Sequence, residues 1–335
     1  MGIISTRKGR IVVIADLADF DRTITSKSDF LEMTDAHQLE AIKRSIIRMG
    51  FEVVIYTDPS EFTQHISEHS DDFVVSLWSG RHSRNRRAII PAICEGNNIR
   101  YFGSDPYAAL VCQDKSLSKR LTQRFGMLTP RHVVFDGKLI VGDLTNIKYP
   151  VVVKPAFEGG SIGISSRNLV ECSQDAIDLA QQLFATFDQP IIIEEFIYGS
   201  EVSICIAGIK EHIILLEAIE VSYNDQPNYL FDKLYSFEEK RLPERTRHRQ
   251  QLNVTNRIPN DILGMARDLF NAMGKVDIFR IDGRLNSNDF TVIELTPDVG
   301  LSPTGIFASA FGSTGLDYES MIRTIINMAR VGAQL

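Results

Sequence analysis

Short β-branched runs that alternate with helical apolar patterns constrain this chain most. Arg10–Ala15 reads RIVVIA, Phe51–Tyr56 reads FEVVIY and Asp72–Leu77 reads DFVVSL. A short apolar run bounded by turn residues reads as a strand buried on both faces. After the first run, Leu39, Ile42, Ile46, Ile47 and Met49 recur at helical spacing and stop at Gly50. Glu61 to Ser67 and Ala88 to Cys94 read as further helices, and Arg100-Tyr101-Phe102 as another strand. Strands alternating with helices build βαβ units around a parallel sheet. Residues 1–112 are therefore expected to form an N-terminal α/β domain with a doubly wound parallel sheet.

What the chain is not follows from its composition. Of 335 residues, 44% are hydrophobic and 24% charged, an ordinary globular balance for two or three domains. The formal net charge of -7 argues against a nucleic-acid partner, which calls for a basic surplus. No apolar run reaches the roughly 18 residues that a membrane span needs. The start, MGIISTRKGRIVVIADL, reads as a short tail leading into a strand, not as a signal peptide. Gly2 and Thr6 match a loose myristoylation pattern that short segments meet by chance. Cys94, Cys112, Cys172 and Cys205 are far apart, as reduced thiols of a cytoplasmic protein would be.

A second unit starts near Gln113, with a helix to Phe125, strands at His132–Phe135 and Val152–Lys154, and a helix from Ser173 to Phe187. Strands Ile191–Phe196 and Glu201–Ala207 complete an antiparallel α+β unit over residues 113–207. The third unit, 208–335, has strands at Ile213–Leu216, Lys275–Leu285 and Phe290–Leu295, and helices at Asp261–Met273 and Leu316–Arg330. The polar stretch from Tyr223 to Arg257 reads as a long connection, a lid or a linker.

Candidate chemistry lies in three places. VVKPAFEGGSIGI carries Lys154 at a strand end, then Glu158, Gly159, Gly160 and Ser161 in a Gly-rich turn. Backbone N–H groups in such a turn can converge on phosphate oxygens because no Cβ keeps them away. A hairpin with a solvated lysine is the alternative, since Walker and Rossmann spacings are both missing. Period-2 alternation puts Arg280 with Asp282 on one face of a strand, and Glu294 with Thr296 on one face of the next. The turn Asn286–Asp289 joins these strands, so the two carboxylates are expected to face one pocket, suited to Mg²⁺ on nucleotide phosphates. Surface acids are the other reading, but both sit in apolar runs where an unpaired charge is costly. Glu194-Glu195-Phe196-Ile197, with Glu201 beyond a turn, is an acidic strand end suited to an adenosine or to solvent.

Together these segments resemble the ATP-grasp superfamily, and within it the D-alanine–D-alanine ligase group of carboxylate–amine ligases. The resemblance runs from Tyr101-Phe102-Gly103-Ser104 through Asp114-Lys115, Lys119 and Thr129-Pro130 to VIELTPDVG. It implies an ATP-grasp fold with a small subdomain at 113–207 and a C-terminal, metal-binding subdomain at 208–335. It implies ATP and Mg²⁺ (or Mn²⁺) as cofactors and small-molecule carboxylate and amine substrates joined through an acyl phosphate. It leaves a homodimer open. By the same resemblance Lys115 and Lys154 hold ATP phosphates, and Glu158, Gly159, Gly160 and Ser161 cover them. Glu194, Phe196 and Ile197 frame the adenine and Glu201 holds the ribose. Lys233 is the lysine of a mobile segment near the nucleotide. Asp282 and Glu294 bind the metal, Arg280 stabilises developing negative charge, and Gly300 offers a backbone N–H to the oxyanion.

The chain also departs from that pattern. Thr296 stands where the family has an Asn ligand, so Thr296 or Asp298 replaces it. ADLADFDRT replaces a Gly-rich turn with a substrate-orienting Glu, Gly305 replaces a serine, and Ser79–Arg87 replaces a His-Gly segment. Arg81–Arg87 is either a solvated helix start or a holder of an anionic group. These departures lead to an expected ligase for amino-acid-like substrates other than D-alanine. The alternatives are a D-alanine–D-alanine ligase proper and a nucleotide-binding protein without ligase activity. A dinucleotide oxidoreductase ranks low because GxGxxG is missing after Ile14.

Overall fold

The computed structural model describes residues 9–17, 34–80, 83–223, 226, 228–236, 239, 249–287 and 289–332. The tail with Gly2 and Thr6, and Arg81 and His82 of the basic cluster, lie outside these residues.

The first sheet is parallel, in the order β2-β1-β3-β4, from β1 (Arg10–Ala15), β2 (Glu52–Tyr56), β3 (Phe73–Leu77) and β4 (Arg100–Phe102). Helix α1 (Ala36–Arg48) lies on one face, and α2 (Pro59–Gln64) and α3 (Ile89–Gly96) lie on the other. Asp35 starts α1 by accepting from the Gln38 N–H at 2.6 Å, an N-cap that satisfies an otherwise orphaned donor. Ile11 and Val13 of β1 enter one core, while Val12 and Ile14 enter the other. Burial on both faces is why this run shows no polar alternation.

Helices α4 (Pro106–Gln113) and α5 (Lys115–Arg124) lead to the second sheet. Asp114 separates them: its backbone is extended, and its carboxylate caps α5 by accepting from the Ser116 and Leu117 N–H groups. The sheet is antiparallel, ordered β6-β5-β9-β7-β8, from β5 (His132–Phe135), β6 (Ile140–Val141), β7 (Val151–Pro155), β8 (Leu169–Val170) and β9 (Ile191–Glu195). Helix α6 (Ser173–Phe187) packs Ala176 and Ala180 against Val151, Val153, Ile191 and Ile193.

The third sheet, also antiparallel, runs β12-β11-β10-β13-β14. Its strands are β10 (Ser200–Ile209), β11 (His212–Tyr223), β12 (Arg249–Asn253), β13 (Ile278–Asn286) and β14 (Asp289–Thr296). Helix α7 (Asn260–Ala272) covers one face through Leu269 and Phe270. Helices α8 (Ile306–Ser313) and α9 (Tyr318–Gly332) cover part of the other, and there they share one core with the parallel sheet. Phe307, Phe311, Ile322 and Ile326 meet Ile11, Val13 and Val75 in that core.

Several expectations change. The strand at 201–207 was read into the second unit, but β10 pairs with β11 and β13 of the third sheet. The chain crosses between sheets at Gly199, where an added Cβ would lie 2.7 Å from the Leu285 carbonyl oxygen. Within the stretch read as a structureless connection, β12 pairs with β11. Helix α4 carries a legible start, Asp105 as N-cap and Pro106 at the first helical position. Helix α8 buries Phe307, Ala310 and Phe311, at i, i+3 and i+4, against the shared core. Among the described residues no helix is long and apolar enough to cross a membrane.

Candidate active site

The second and third sheets face each other across a cavity of about 460 Å³. Lys115, Lys154, Glu158, Gly159, Gly160, Ser161, Glu194, Phe196, Ile197, Glu201, Arg280, Asp282, Glu294 and Gly300 all line it. A second cavity of about 260 Å³ adjoins it and shares Gly160, Arg280 and Gly300. Thr296 lines this second cavity, whereas Lys233 lines neither. Instead the Lys233 ammonium lies 3.8 Å from the centre of the Tyr229 ring, and its neighbours Leu234 and Tyr235 form the wall.

Strand alternation builds one wall. Glu201 and Ser203 on β10 pair directly with Arg284 and Asp282 on β13, and Asp282 and Arg280 pair with Glu294 and Thr296 on β14. Asp282 is heavily engaged: Arg280 forks onto it at 2.7 and 2.9 Å, Ser203 donates at 2.6 Å and Thr296 at 3.2 Å. The carboxylate beside Arg280 holds the guanidinium pKa above its ordinary value despite the burial that opposes it. A β-bulge between Asp282 and Gly283 shifts the register at this point. The bulge brings Ile293 to the cavity wall.

Lysines join this wall to the opposite sheet. Lys115, the first residue of α5, pairs with Glu294 at 2.9 Å. One turn on, Lys119 is 1% exposed, pairs with Glu194 at 3.0 Å and donates to the Ile293 carbonyl at 2.5 Å. Lys154 reaches the other oxygen of Glu194 at 2.5 Å. Burial pushes the Glu194 carboxyl up, but Lys119 and Lys154 outweigh it and hold it at about 2. Burial likewise opposes ionisation of Glu294, and Lys115 and Lys154 bring it to about 2. Burial lowers Lys119 to about 8 in spite of Glu194. The Glu194 carboxylate lines the cavity and sits between two lysines, Lys119 and Lys154.

The glycine loop is pinned at both ends. Arg86 pairs with Glu158 at 3.0 Å and Gln189 donates to Glu158 at 2.7 Å, while Lys115 donates to the Glu158 carbonyl. Ser161, at φ +66, donates to the Tyr235 carbonyl at 2.8 Å. Arg87 donates from Nη1 to both Asp298 oxygens, at 2.6 and 2.5 Å. These two arginines of the basic cluster are therefore paired inside the protein, so the solvated reading fails for them.

The D-ala D-ala ligase C-terminus family model matches residues 122–327. The chain belongs to that family. It is an ATP-dependent ligase that forms carbon–nitrogen bonds, built on the ATP-grasp fold. A D-alanine–D-alanine ligase of Carboxydothermus hydrogenoformans is 24% identical over 88% of this chain and 93% of its own. One from Pelagibacter ubique is 25% identical over 87% and 91%. The Bacillus anthracis D-alanine–D-alanine ligase solved with ATP covers 97% of this chain and 99% of its own, with TM-score 0.73 and 16% identity. The Enterococcus faecalis VanG D-Ala:D-Ser ligase has TM-score 0.68 and 19% identity over 96% and 99%.

These matches overturn one expectation. Missing motifs had led away from D-alanine, yet the relatives that span most of both chains are D-alanine–D-alanine ligases. A cavity does survive where those motifs were missed: Trp78, Ser79, Arg87 and Asp298 line it, and Asp16 braces it by accepting from the Ser79 and Gly80 N–H groups at 3.2 and 2.8 Å. Its lining comes from several elements and from backbone, which no linear motif records. Sequence reasoning did not assign Ser203 and Arg284 to the site, although period two pointed to both, each two residues from a named acid. Lys119 was named only within the resemblance, and Arg86 only within the basic cluster read as a possible holder of an anionic group.

Proposed function

We propose that this chain is a D-alanine–D-alanine ligase, joining the carboxylate of one D-alanine to the amine of another while ATP becomes ADP and phosphate. The observation that carries it is the meeting of two cavities at Arg280, Gly160 and Gly300. One is large, floored by lysines and covered by a glycine loop; the other is small and polar. The proposal puts the nucleotide in the first and the amino-acid carboxylate in the second.

The donor set fits a magnesium ion. Asp282 and Glu294 stand opposite each other, and Mg²⁺ at nucleotide sites takes one or two carboxylates and completes its shell with phosphate and water. Thr296, bonded to Asp282, is the third donor we assign; Asp298 is neutralised by Arg87. When bound, magnesium ATP supplies the phosphoryl group that activates the carboxylate and disperses charge over the phosphate oxygens.

The chain's own residues do the rest. Lys115, at the start of α5, and Lys154, on β7, present ammonium groups to phosphate oxygens. Arg280, fixed in orientation by Asp282, places its guanidinium where the cavities join and stabilises negative charge that develops there. The Gly300 N–H lies at the same junction and donates to the oxyanion. Gly159, Gly160 and Ser161, tied to Tyr235, exclude water. Phe196 and Ile197 flank the base and Glu201 accepts from the ribose.

The test is phosphate release with D-alanine, followed by product mass. D-Alanine-dependent phosphate together with a dipeptide mass is the expected result. Release that no D-alanine concentration stimulates would overturn the proposal.

A further inference from the structure

Arg284 is the cavity residue with the most protein partners that no part of the reaction uses. It is 5% exposed, and strand pairing sets it directly opposite Glu201. Its Nε meets Glu201 Oε2 at 2.9 Å. Its remaining N–H groups reach three carbonyls: Gly199 at 2.9 Å, Leu230 at 2.6 Å and Lys233 at 2.7 Å. Its guanidinium carbon lies 5.5 Å from the Phe196 ring centre. One side chain therefore touches the expected ribose carboxylate, the strand end beside the base, and the 230–235 segment. That segment also returns to the glycine loop, because the Tyr235 carbonyl accepts from Ser161.

We propose that Arg284 is a positioning residue for the nucleotide sugar: it holds Glu201 ready to accept the ribose hydroxyls and couples that hold to the 230–235 segment over the cavity. The inference rests on the ligase function proposed for this chain, which puts the ribose at Glu201. The chemistry is that of a planar fork. A guanidinium serves a carboxylate and several carbonyls at once in fixed directions, which an ammonium cannot. A carboxylate that keeps one oxygen on Arg284 has its other oxygen available to a sugar hydroxyl, and Glu201 keeps 20% of its side-chain surface exposed. The same fork immobilises the Leu230 and Lys233 carbonyls, so a sugar that fixes Glu201 also fixes the segment that meets Ser161.

Titration calorimetry on the full chain compares ATP with 2′,3′-dideoxy-ATP for wild type, Arg284→Met, Arg284→Lys and Glu201→Gln. Trypsin cleavage after Lys233 is followed in parallel. Wild type should prefer ATP by about tenfold or more, the worth of a charge-assisted hydrogen bond. Arg284→Met should cut that preference to about twofold or less and speed cleavage after Lys233. Glu201→Gln should lose the preference with cleavage unchanged, which separates the two arms of the fork. Arg284→Lys should keep part of the preference through its charge, yet be cleaved as fast as the Met variant; it carries the comparison if the Met variant fails to fold.

Equal weakening of both nucleotides by Arg284→Met, or a preference that survives Glu201→Gln, would overturn the inference. A wild-type chain that makes dipeptide but binds both nucleotides alike overturns it while sparing the ligase function. A chain whose preference depends on Arg284 but that makes no dipeptide overturns the ligase function alone.

Discussion

Arg86 and Glu158 form an ion pair of 3.0 Å that ties the head of the glycine loop to the N-terminal unit. Arg86 is 4% exposed and also donates to the Phe157 carbonyl at 3.2 Å. The glycine loop is thus anchored by a residue more than seventy positions upstream.

Arg86→Met removes that anchor and leaves the half-buried Glu158 without this ion pair, its carboxylate still bonded to Gln189. We expect the KM for ATP to rise about tenfold, with the KM for D-alanine moved less, since of the loop only Gly160 reaches the second cavity. Steady-state kinetics with each substrate varied in turn decides it. An unmoved KM for ATP would remove Arg86 from loop positioning.

Lys119→Met breaks a buried pair and leaves Glu194 with Lys154 alone. Removal of one partner of such a pair costs about 3–5 kcal/mol. A chemical-denaturation series with Lys119→Met, Glu194→Gln and the double variant should show strong non-additivity, because each single change strands the other's charge. The lysine is held at about 8 by burial, whereas in the unfolded chain it keeps its proton to about 10.4. Between these values the unfolded state binds more protons, so this group makes stability rise with pH, and Lys119→Met should flatten that rise.

Acid titrates the opposite set. Glu194 and Glu294 are held at about 2 in the folded chain. An unfolded glutamate titrates near about 4.3. Their stabilising contribution is therefore complete above that value and is lost as pH falls through about 2. Thermal midpoints measured from pH 5 down to 2 should fall less steeply in Glu194→Gln than in wild type. Parallel slopes would show that the lysines do not hold this carboxyl low.

Asp282→Asn keeps the side chain's shape but removes the charge that orients Arg280 and would bind the metal. D-Alanine-dependent phosphate release should drop by about a hundredfold or more. Circular dichroism should match wild type. Turnover within a few-fold of wild type would count against Asp282 as a metal ligand.

Much of the architecture was legible because it rests on local periodicity. The mainly apolar runs at Arg10–Ala15 and Asp72–Leu77 announce strands buried on both faces, and both hold strands of the parallel sheet. The helix expected at Ser173–Phe187 is found at those residues. Less visible were β10's sheet and the strand β12, since sheet membership depends on which edges meet, not on the strand's own residues.

The site divides in the same way. Alternation along a strand decides which side chains share a face, so Arg280, Asp282, Glu294 and Thr296 could be grouped before any packing was known. The Gly-rich turn after Lys154 was equally plain, because backbone freedom is a property of the residues themselves. What each charge meets was not written locally. Arg86 finds Glu158, Arg87 finds Asp298, and Lys119 spans Glu194 and the Ile293 carbonyl, all across long stretches of chain. Those meetings depend on how two sheets and a helix end pack around one cavity. Burial then selects the partner, because a charge removed from water must find its counter-charge wherever the fold has placed it.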